Sequence, residues 1–172
     1  MEAKKAMNST ILMFGLLFGM IIILFNFINP PTSDPETTNK GLLGIISLVL
    51  LISTPILAIK YYKDKGFDVT LGQAVKIGVL AGLLGGLIGG IYGYIYYAYI
   101  NPDAVDQVIE MSNKVLAKND MFSEEMLEKQ AETTKSMFLP MQIIANLIAG
   151  LLYGVIGGLL GGLFFKTPSE DY

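Results

Sequence analysis

The sequence predicts an all-α integral membrane protein with four transmembrane helices and a helical extracytoplasmic loop between helices 3 and 4. The 172-residue chain is 52% hydrophobic and only 16% charged, whereas about a quarter of the residues in soluble domains are charged. Its apolar residues also gather into four uncharged runs, each long enough to cross about 30 Å of hydrocarbon as a helix. We expect a single four-helix membrane domain over residues 1–172.

The four predicted helices span about residues 6–28, 41–59, 71–100 and 138–165. The first run follows Lys4 and Lys5, as the core of a signal peptide would. It is too long for one, however, and its far end lacks a small-residue cleavage site, so we interpret it as a retained signal-anchor helix. Pro55 lies inside the second run after Ser53 and Thr54. We expect a kink there, with the hydroxyl groups helping to satisfy the freed backbone carbonyl.

The ends of the remaining helices carry recognisable signals. Thr70 and Gln73 have the spacing of a capping box, which predicts the start of the third helix. The outer loop, residues 101–137, is predicted to form two helical stretches separated at Asn119-Asp120, with Ser123 opening the second. The first stretch has a weak apolar face, which must rest on the second stretch, on the bilayer or on another protein: Val105, Val108, Ile109, Val115 and Leu116.

Lysine placement predicts the orientation. With the N-terminus inside, the cytoplasmic segments hold seven of the twelve lysines, concentrated between Lys60 and Lys76. We therefore expect both termini in the cytoplasm. Tyrosines crowd the outer end of the third helix, and we interpret them as an interfacial belt in preference to a ligand-stacking site: Tyr92, Tyr94, Tyr96, Tyr97 and Tyr99.

Glycines recur at four-residue intervals in the third and fourth helices. The stretches from Gly82 to Gly90 and from Gly154 to Gly162 have identical glycine frames. Because small residues let membrane helices approach closely, the two helices are expected to pack antiparallel through these positions, with Gly86 opposite Gly158. The predicted helix-packing residues are Gly78, Gly82, Gly86, Gly90, Gly150, Gly154, Gly158 and Gly162. A second stripe, Gly85, Gly89 and Gly93, is available to the first helix through Gly15 and Gly19, or to another protein.

The residue inventory excludes several kinds of chemistry. Cysteine, histidine and arginine are absent, so thiolate or imidazole metal sites and Cys or His catalysis are not possible, and nucleic-acid binding is not expected. Ion-coupled transporters normally require a charged residue within the membrane. No charged residue lies in the middle of a predicted membrane helix of this chain. Gln142 and Asn146 are possible interhelical hydrogen-bonding residues, and we favour structural contacts over a solute site. We predict no enzyme activity, no catalytic residues, no metal and no cofactor.

The part of the chain from Ala58 to Asp103 resembles a known family. The stretch from Ala58 to Gly66 (AIKYYKDKG) is followed by Thr70 to Gly78 (TLGQAVKIG), and a glycine- and tyrosine-rich helix then ends at Tyr99 to Asp103 (YINPD). Together they are similar to the domain-of-unknown-function family 4199, small membrane proteins found mostly in the Bacteroidota. The resemblance covers essentially the whole chain. It implies four helices and a bacterial inner-membrane location, and it implies no activity, cofactor or catalytic residue.

Two functions are compatible with these features. The first is a non-enzymatic accessory or assembly subunit of a larger inner-membrane complex, whose partners besides the lipid bilayer are other membrane protein subunits. The alternative is a small transporter or channel formed by self-association, with glycine-lined helices that slide against one another. Co-purification in a gentle detergent distinguishes unrelated subunits in defined ratio from a pure homo-oligomer.

Overall fold

The computed structural model describes residues 2–30, 40–116 and 123–168, without the side chains of Lys40, Val115 and Glu124. It confirms the all-helical class. The α-helices are α1 (Glu2–Ile28), α2 (Lys40–Asp64), α3 (Leu71–Ile95), α4 (Asp103–Leu116) and α5 (Glu124–Phe165), and a π-helical segment (Tyr96–Ile100) continues α3. Four of these helices are long and apolar enough to cross a membrane, namely α1, α2, α3 with its π-helical continuation, and α5. The chain is a multi-pass membrane protein.

The four long helices form a bundle whose most extensive contact joins α3 and α5. Helix α1 lies beside α3, α2 lies beside α5, and α1 and α2 also contact each other. Helices α3 and α5 run antiparallel, since Gly78 lies opposite Gly154 and Gly82 lies opposite Gly150. The short helix α4 lies at one end of the bundle, on α5 and the π-helical segment. We call this end the cap end.

The opposite end holds the first residues of α1 and α3 and the last residues of α2 and α5. Seven lysines lie there, and we call it the lysine-rich end: Lys4, Lys5, Lys60, Lys63, Lys65, Lys76 and Lys166. Two hydrogen bonds join Val69 and Thr167 at the lysine-rich end. The amide of Val69 donates to the Thr167 hydroxyl at 3.0 Å, and the amide of Thr167 donates to the Val69 carbonyl at 2.9 Å. The chain after α5 is therefore tied to the residues that precede α3.

The predicted capping box at the start of α3 is confirmed. The amide of Gln73 donates to the Thr70 hydroxyl at 3.2 Å, and the amide of Thr70 donates to the Gln73 side-chain oxygen at 2.8 Å. The two bonds satisfy two amide donors that the first helical turn leaves without intrahelical partners. This cap fixes the residue at which α3 begins, directly after the Val69–Thr167 pair.

Pro55 lies inside α2, as predicted, but the nearby hydroxyl makes a different hydrogen bond from the one expected. Proline lacks the amide that would reach the carbonyl of Leu51, four residues back. The Thr54 hydroxyl donates to the carbonyl of Leu50 at 2.8 Å, not to that of Leu51. Thr54 is buried at 2% exposure, so this bond satisfies a side chain that would otherwise be costly inside the bundle. The ring of Pro55 instead faces a glycine of α5.

Helix α5 is a single helix of 42 residues, which differs from the expected membrane helix over 138–165 with a separate stretch before it. Its N-cap is confirmed, because the Ser123 hydroxyl accepts from the amide of Met126 at 3.3 Å. Between Glu124 and Leu139 the sequence has neither glycine nor proline, so nothing ends the helix where the hydrophobic run begins. The predicted break at Asn119-Asp120 lies outside the described residues.

Candidate functional site

Helices α3 and α5 meet backbone to backbone at two pairs of glycines. The position that a Cβ atom would take at Gly82 is filled by the carbonyl oxygen of Gly150, and the carbonyl oxygen of Gly82 fills the same position at Gly150. Gly78 and Gly154 are related in the same reciprocal way. Such approach brings Cα hydrogens against carbonyl oxygens, a weak interaction that recurs at helix–helix contacts. At these two pairs a side chain on either helix would separate the backbones.

The other four predicted packing glycines lie on the same contact, but the atoms nearest to their own Cβ positions belong to other residue types. A Cβ atom at Gly86 would meet the carbonyl of Asn146, and one at Gly90 would lie 2.7 Å from the Cα atom of Ile143. Nearer the lysine-rich end, Gly158 faces the backbone of Val75 and Gly162 faces Leu71 and Ala74. The row of glycines from Gly78 to Gly90 and the row from Gly150 to Gly162 thus face each other over only part of their length.

The expected pairing of Gly86 with Gly158 is therefore wrong. The register of α3 against α5 places the two residues at different levels of the bundle. Helix α3 begins at Leu71 and α5 ends at Phe165, and the Val69–Thr167 hydrogen bonds hold these two ends level with each other. With that register, Gly158 falls near the start of α3, about three turns from the level of Gly86.

Gln142 and Asn146 lie on this contact towards the cap end, but Asn146 does not make the expected interhelical hydrogen bond. Its side-chain amide donates to the carbonyl of Gln142 on the same helix at 2.7 Å. The side-chain oxygen of Gln142 lies against α3, 3.2 Å from the Cβ position of Gly93. The two residues thus continue the α3–α5 contact beyond Gly150, towards the cap end.

The second glycine stripe of α3 is covered by α1 at Gly85 and Gly89, whereas Gly93 faces Gln142 of α5. Phe18, whose side chain is fully buried, lies 2.5 Å from the Cβ position of Gly85. In return, Leu84 of α3 lies 2.6 Å from the Cβ position of Gly15 on α1. Each helix places a large side chain on a glycine of the other, so the contact is interlocked. Of the two partners considered for this stripe, the first helix occupies the part at Gly85 and Gly89.

Helix α5 likewise has a second glycine face, which is covered by α2. The ring of Pro55 fills the space beside Gly157, and Ile59 lies 2.5 Å from the Cβ position of Gly161. This face was not singled out from the sequence, although Gly157 and Gly161 are four residues apart. In α3 and α5 together, the described glycines of both faces pack against helices of the same chain.

Helix α4 is seated on aromatic residues at the junction of the membrane helices. Val105 and Ile109 are buried against Tyr97 of the π-helical segment and Phe138 of α5. The rings of Tyr97 and Phe138 meet edge to face with centroids 5.0 Å apart, a favourable aromatic geometry. Tyr97 is only 4% exposed, whereas Tyr99 is 76% exposed. The tyrosines are therefore not one belt, because Tyr97 forms the floor beneath α4.

An ion pair joins the two helices of this end. Lys135 of α5 contacts Asp106 of α4 with 2.6 Å between Nζ and Oδ1, and both side chains are more than half exposed. Pairs so exposed contribute about 0–1 kcal/mol. The buried apolar contacts therefore hold α4 in place, and the ion pair contributes little to its stability. We call α4 together with residues 124–139 of α5 the cap.

Sequence reasoning missed the residues that seat α4. Val105 and Ile109 were recognised as an apolar face, but their partners Tyr97 and Phe138 were assigned to an interfacial belt and to the start of a membrane helix. Asp106 and Lys135 are far apart in sequence and carry no local signal of pairing. The side chain of Val115, which the predicted face included, lies outside the described residues.

Comparison with known proteins gives a family and no activity. Neither a curated protein nor a solved structure matches the chain. A family model described as "Protein of unknown function (DUF4199)" matches residues 13–167, which include all of α2 to α5 and most of α1. The suspected resemblance is thereby confirmed: the chain belongs to the DUF4199 family of proteins of unknown function.

Proposed function

We propose that this protein is a non-enzymatic accessory or assembly subunit of a larger complex in the bacterial inner membrane. The observation that carries the proposal is the cap. It is built on an uninterrupted continuation of a membrane helix and held there by the buried contacts of Val105 and Ile109. A firmly attached surface outside the bilayer suits a protein that positions another subunit.

The charge of the cap indicates the kind of partner that it fits. Among the cap side chains that the structure describes, the acidic ones outnumber the lysines: Asp103, Asp106, Glu110, Glu125, Glu128 and Glu132 against Lys114, Lys129 and Lys135. Some are already paired along their own helix, as are Glu110 with Lys114 and Glu125 with Lys129, both at 2.7 Å. The Lys114 hydrogen bond and charge lower the pKa of Glu110, which keeps that carboxylate ionised. The cap therefore suits a partner surface rich in lysine or arginine.

A homo-oligomeric transporter or channel is less well supported. That alternative depended on glycine-lined helices sliding between copies of the chain. The glycine faces of α3 and α5 are covered by α1, by α2 and by each other, so the glycines have a sufficient role within one molecule. Close packing of this kind stabilises a membrane bundle without requiring movement.

The distribution of lysines supports an orientation with the lysine-rich end in the cytoplasm and the cap outside. The chain has no cysteine, so single introduced cysteines can be labelled without background. Ser112→Cys on α4 should react with an impermeant maleimide in intact spheroplasts, and Lys63→Cys at the end of α2 should react only after lysis. Labelling in the reverse pattern contradicts the orientation and leaves the fold untouched.

Co-purification tests the proposed role. The protein, expressed at its native level and extracted in a gentle detergent, should carry a second membrane or periplasmic protein in fixed ratio. The double charge reversal Glu128→Lys with Glu132→Lys on the exposed face of the cap should release that protein. The matched control, Glu2→Lys with Asp68→Lys, reverses two charges at the lysine-rich end and should retain it. Purification of a pure homo-oligomer, or equal retention by both variants, refutes the role that we assign to the cap.

A further inference from the structure

A groove lies between α1 and α2 near the lysine-rich end. It has a volume of about 250 Å³ and is lined by Phe14 of α1 and by Leu57, Lys60, Tyr61 and Asp64 of α2. The four α2 residues are spaced i, i+3, i+4 and i+7, so they share one face of the helix. The groove therefore runs along the surface of the bundle, with apolar residues towards its middle and charged residues towards its end.

The floor of the groove is aromatic and apolar. The rings of Phe14 and Tyr61 lie 5.6 Å apart in a tilted arrangement. Phe14 is 8% exposed and so belongs to the core, whereas Leu57 is 50% exposed and forms an open wall. Because this part of α2 lies within a candidate membrane span, the apolar floor suits a lipid acyl chain.

The rim of the groove is cationic. Lys60 contacts Asp64 with 2.8 Å between Nζ and Oδ2, and both side chains are more than half exposed. The ammonium group of Lys65 lies 4.6 Å from the centroid of the Tyr61 ring, a cation–π contact that holds it above the floor. Lys60 and Asp64 thus line the mouth and Lys65 lies beside it on Tyr61, so the three groups together carry a net charge of +1.

From this arrangement we infer that the groove binds one anionic phospholipid of the leaflet that the lysine-rich end faces. The acyl chain lies on Phe14 and Leu57, and the phosphate accepts hydrogen bonds from Lys60 and Lys65. The exposed Lys60–Asp64 pair is weak, so Lys60 can turn from the carboxylate to a phosphate oxygen. The ammonium group of a zwitterionic lipid is repelled by the two lysines, so such a lipid binds the rim more weakly. The site is therefore selective for anionic headgroups.

Native mass spectrometry of the full chain in detergent, with phosphatidylglycerol and phosphatidylethanolamine supplied in equal amounts, tests the site. The unmodified protein should retain one phosphatidylglycerol with a preference of about tenfold or more. The double variant Lys60→Gln with Lys65→Gln should lose that preference. Lys114→Gln with Lys129→Gln, which removes two lysines from the cap, should keep it. Equal retention of the two lipids by the unmodified protein, or an unchanged preference in the Lys60 and Lys65 variant, overturns the assignment.

A second variant separates a specific groove from general attraction to charge. Leu57→Trp keeps every charge and places a larger side chain on the open wall, where the exposed position tolerates it. Retention of phosphatidylglycerol should fall to the level of the Lys60 and Lys65 variant. If Leu57→Trp binds the lipid as the unmodified protein does, the lysines act only as a diffuse positive surface and the groove is not the site. Glycerol phosphate, which has the headgroup without acyl chains, should not compete, and competition by it would likewise exclude a lipid site.

Discussion

Gly82 and Gly150 occupy each other's side-chain space, since the carbonyl oxygen of each fills the position of a Cβ atom on the other. The contact is between two backbones, so neither residue has a side chain that could relieve it by changing rotamer. Most of the energy of such a contact comes from close van der Waals approach over the whole interface, because lipid offers helices no hydrophobic reason to associate. The α3–α5 pair is therefore expected to be sensitive to single methyl groups.

Gly82→Ala should destabilise the bundle by about 1–3 kcal/mol, the range of overpacking substitutions. Thermal unfolding in detergent, followed by circular dichroism, measures the change. Gly44→Ala on α2 is the matched control, because nothing lies within 4 Å of its Cβ position. Alanine is the better helix former by about 1 kcal/mol, so the control should be neutral or slightly stabilising. Equal effects at the two positions would show that α3 and α5 are not in backbone contact.

The register of α3 against α5 can be tested by oxidation. Leu71→Cys with Gly162→Cys should form a disulfide, because the Cβ position of Gly162 lies 3.7 Å from the Cα atom of Leu71, which places the Cα atoms within bonding range. Gly86→Cys with Gly158→Cys should remain reduced, because the two positions are about three turns apart. Non-reducing mass spectrometry distinguishes the products. A disulfide in the second pair alone would restore the alignment that the glycine frames suggest.

Thr167→Val should cost about 1–3 kcal/mol, because it leaves the amide of the fully buried Val69 without its acceptor. Valine has nearly the shape of threonine, so the change removes the hydrogen bond and little packing. Thr167→Ser retains the hydroxyl and should unfold within about 0.5 kcal/mol of the unmodified protein. A serine variant as unstable as the valine variant would assign the effect to the lost methyl group and not to the hydrogen bond.

Helix α4 should depend on its buried face more than on its ion pair. Ile109→Ala removes buried apolar contacts worth about 2 kcal/mol or more, and hydrogen exchange of the α4 amides should accelerate accordingly. Lys135→Gln breaks only the exposed pair with Asp106 and should change that exchange little. Exchange rates within α3 serve as the internal reference in both variants. If Lys135→Gln releases α4 as strongly as Ile109→Ala, electrostatic contacts and not the Tyr97–Phe138 floor hold the cap.

Hydropathy was sufficient for the four membrane helices, because lipid admits few other ways of satisfying the backbone of a long apolar segment. Local capping chemistry was equally informative at Thr70 and Ser123, where the side chain and the backbone donor are only three residues apart. These features are encoded by neighbours in the sequence, and nothing elsewhere in the fold overrides them.

What depends on distant residues could not be predicted. The two identical glycine frames suggested that their centres align, whereas the observed register places Gly82 opposite Gly150 and brings together Val69 and Thr167, which are 98 positions apart in the sequence. The length of α5 was underestimated for a different reason. Lys135 marks the limit of the hydrophobic run, but a charge does not end a helix, and no glycine or proline precedes Pro140 within α5. Polarity indicates where a membrane begins and not where a helix stops.

The position of α5 in the chain has a consequence for biogenesis. Its partner α3 is synthesised and reaches the membrane first, followed by α4 and only then by α5. During that interval α1 can already cover Gly85, but the partners of Gly78 and Gly82 on α5 are not yet present. The most extensive helix contact of the bundle therefore forms only after α5 has been synthesised.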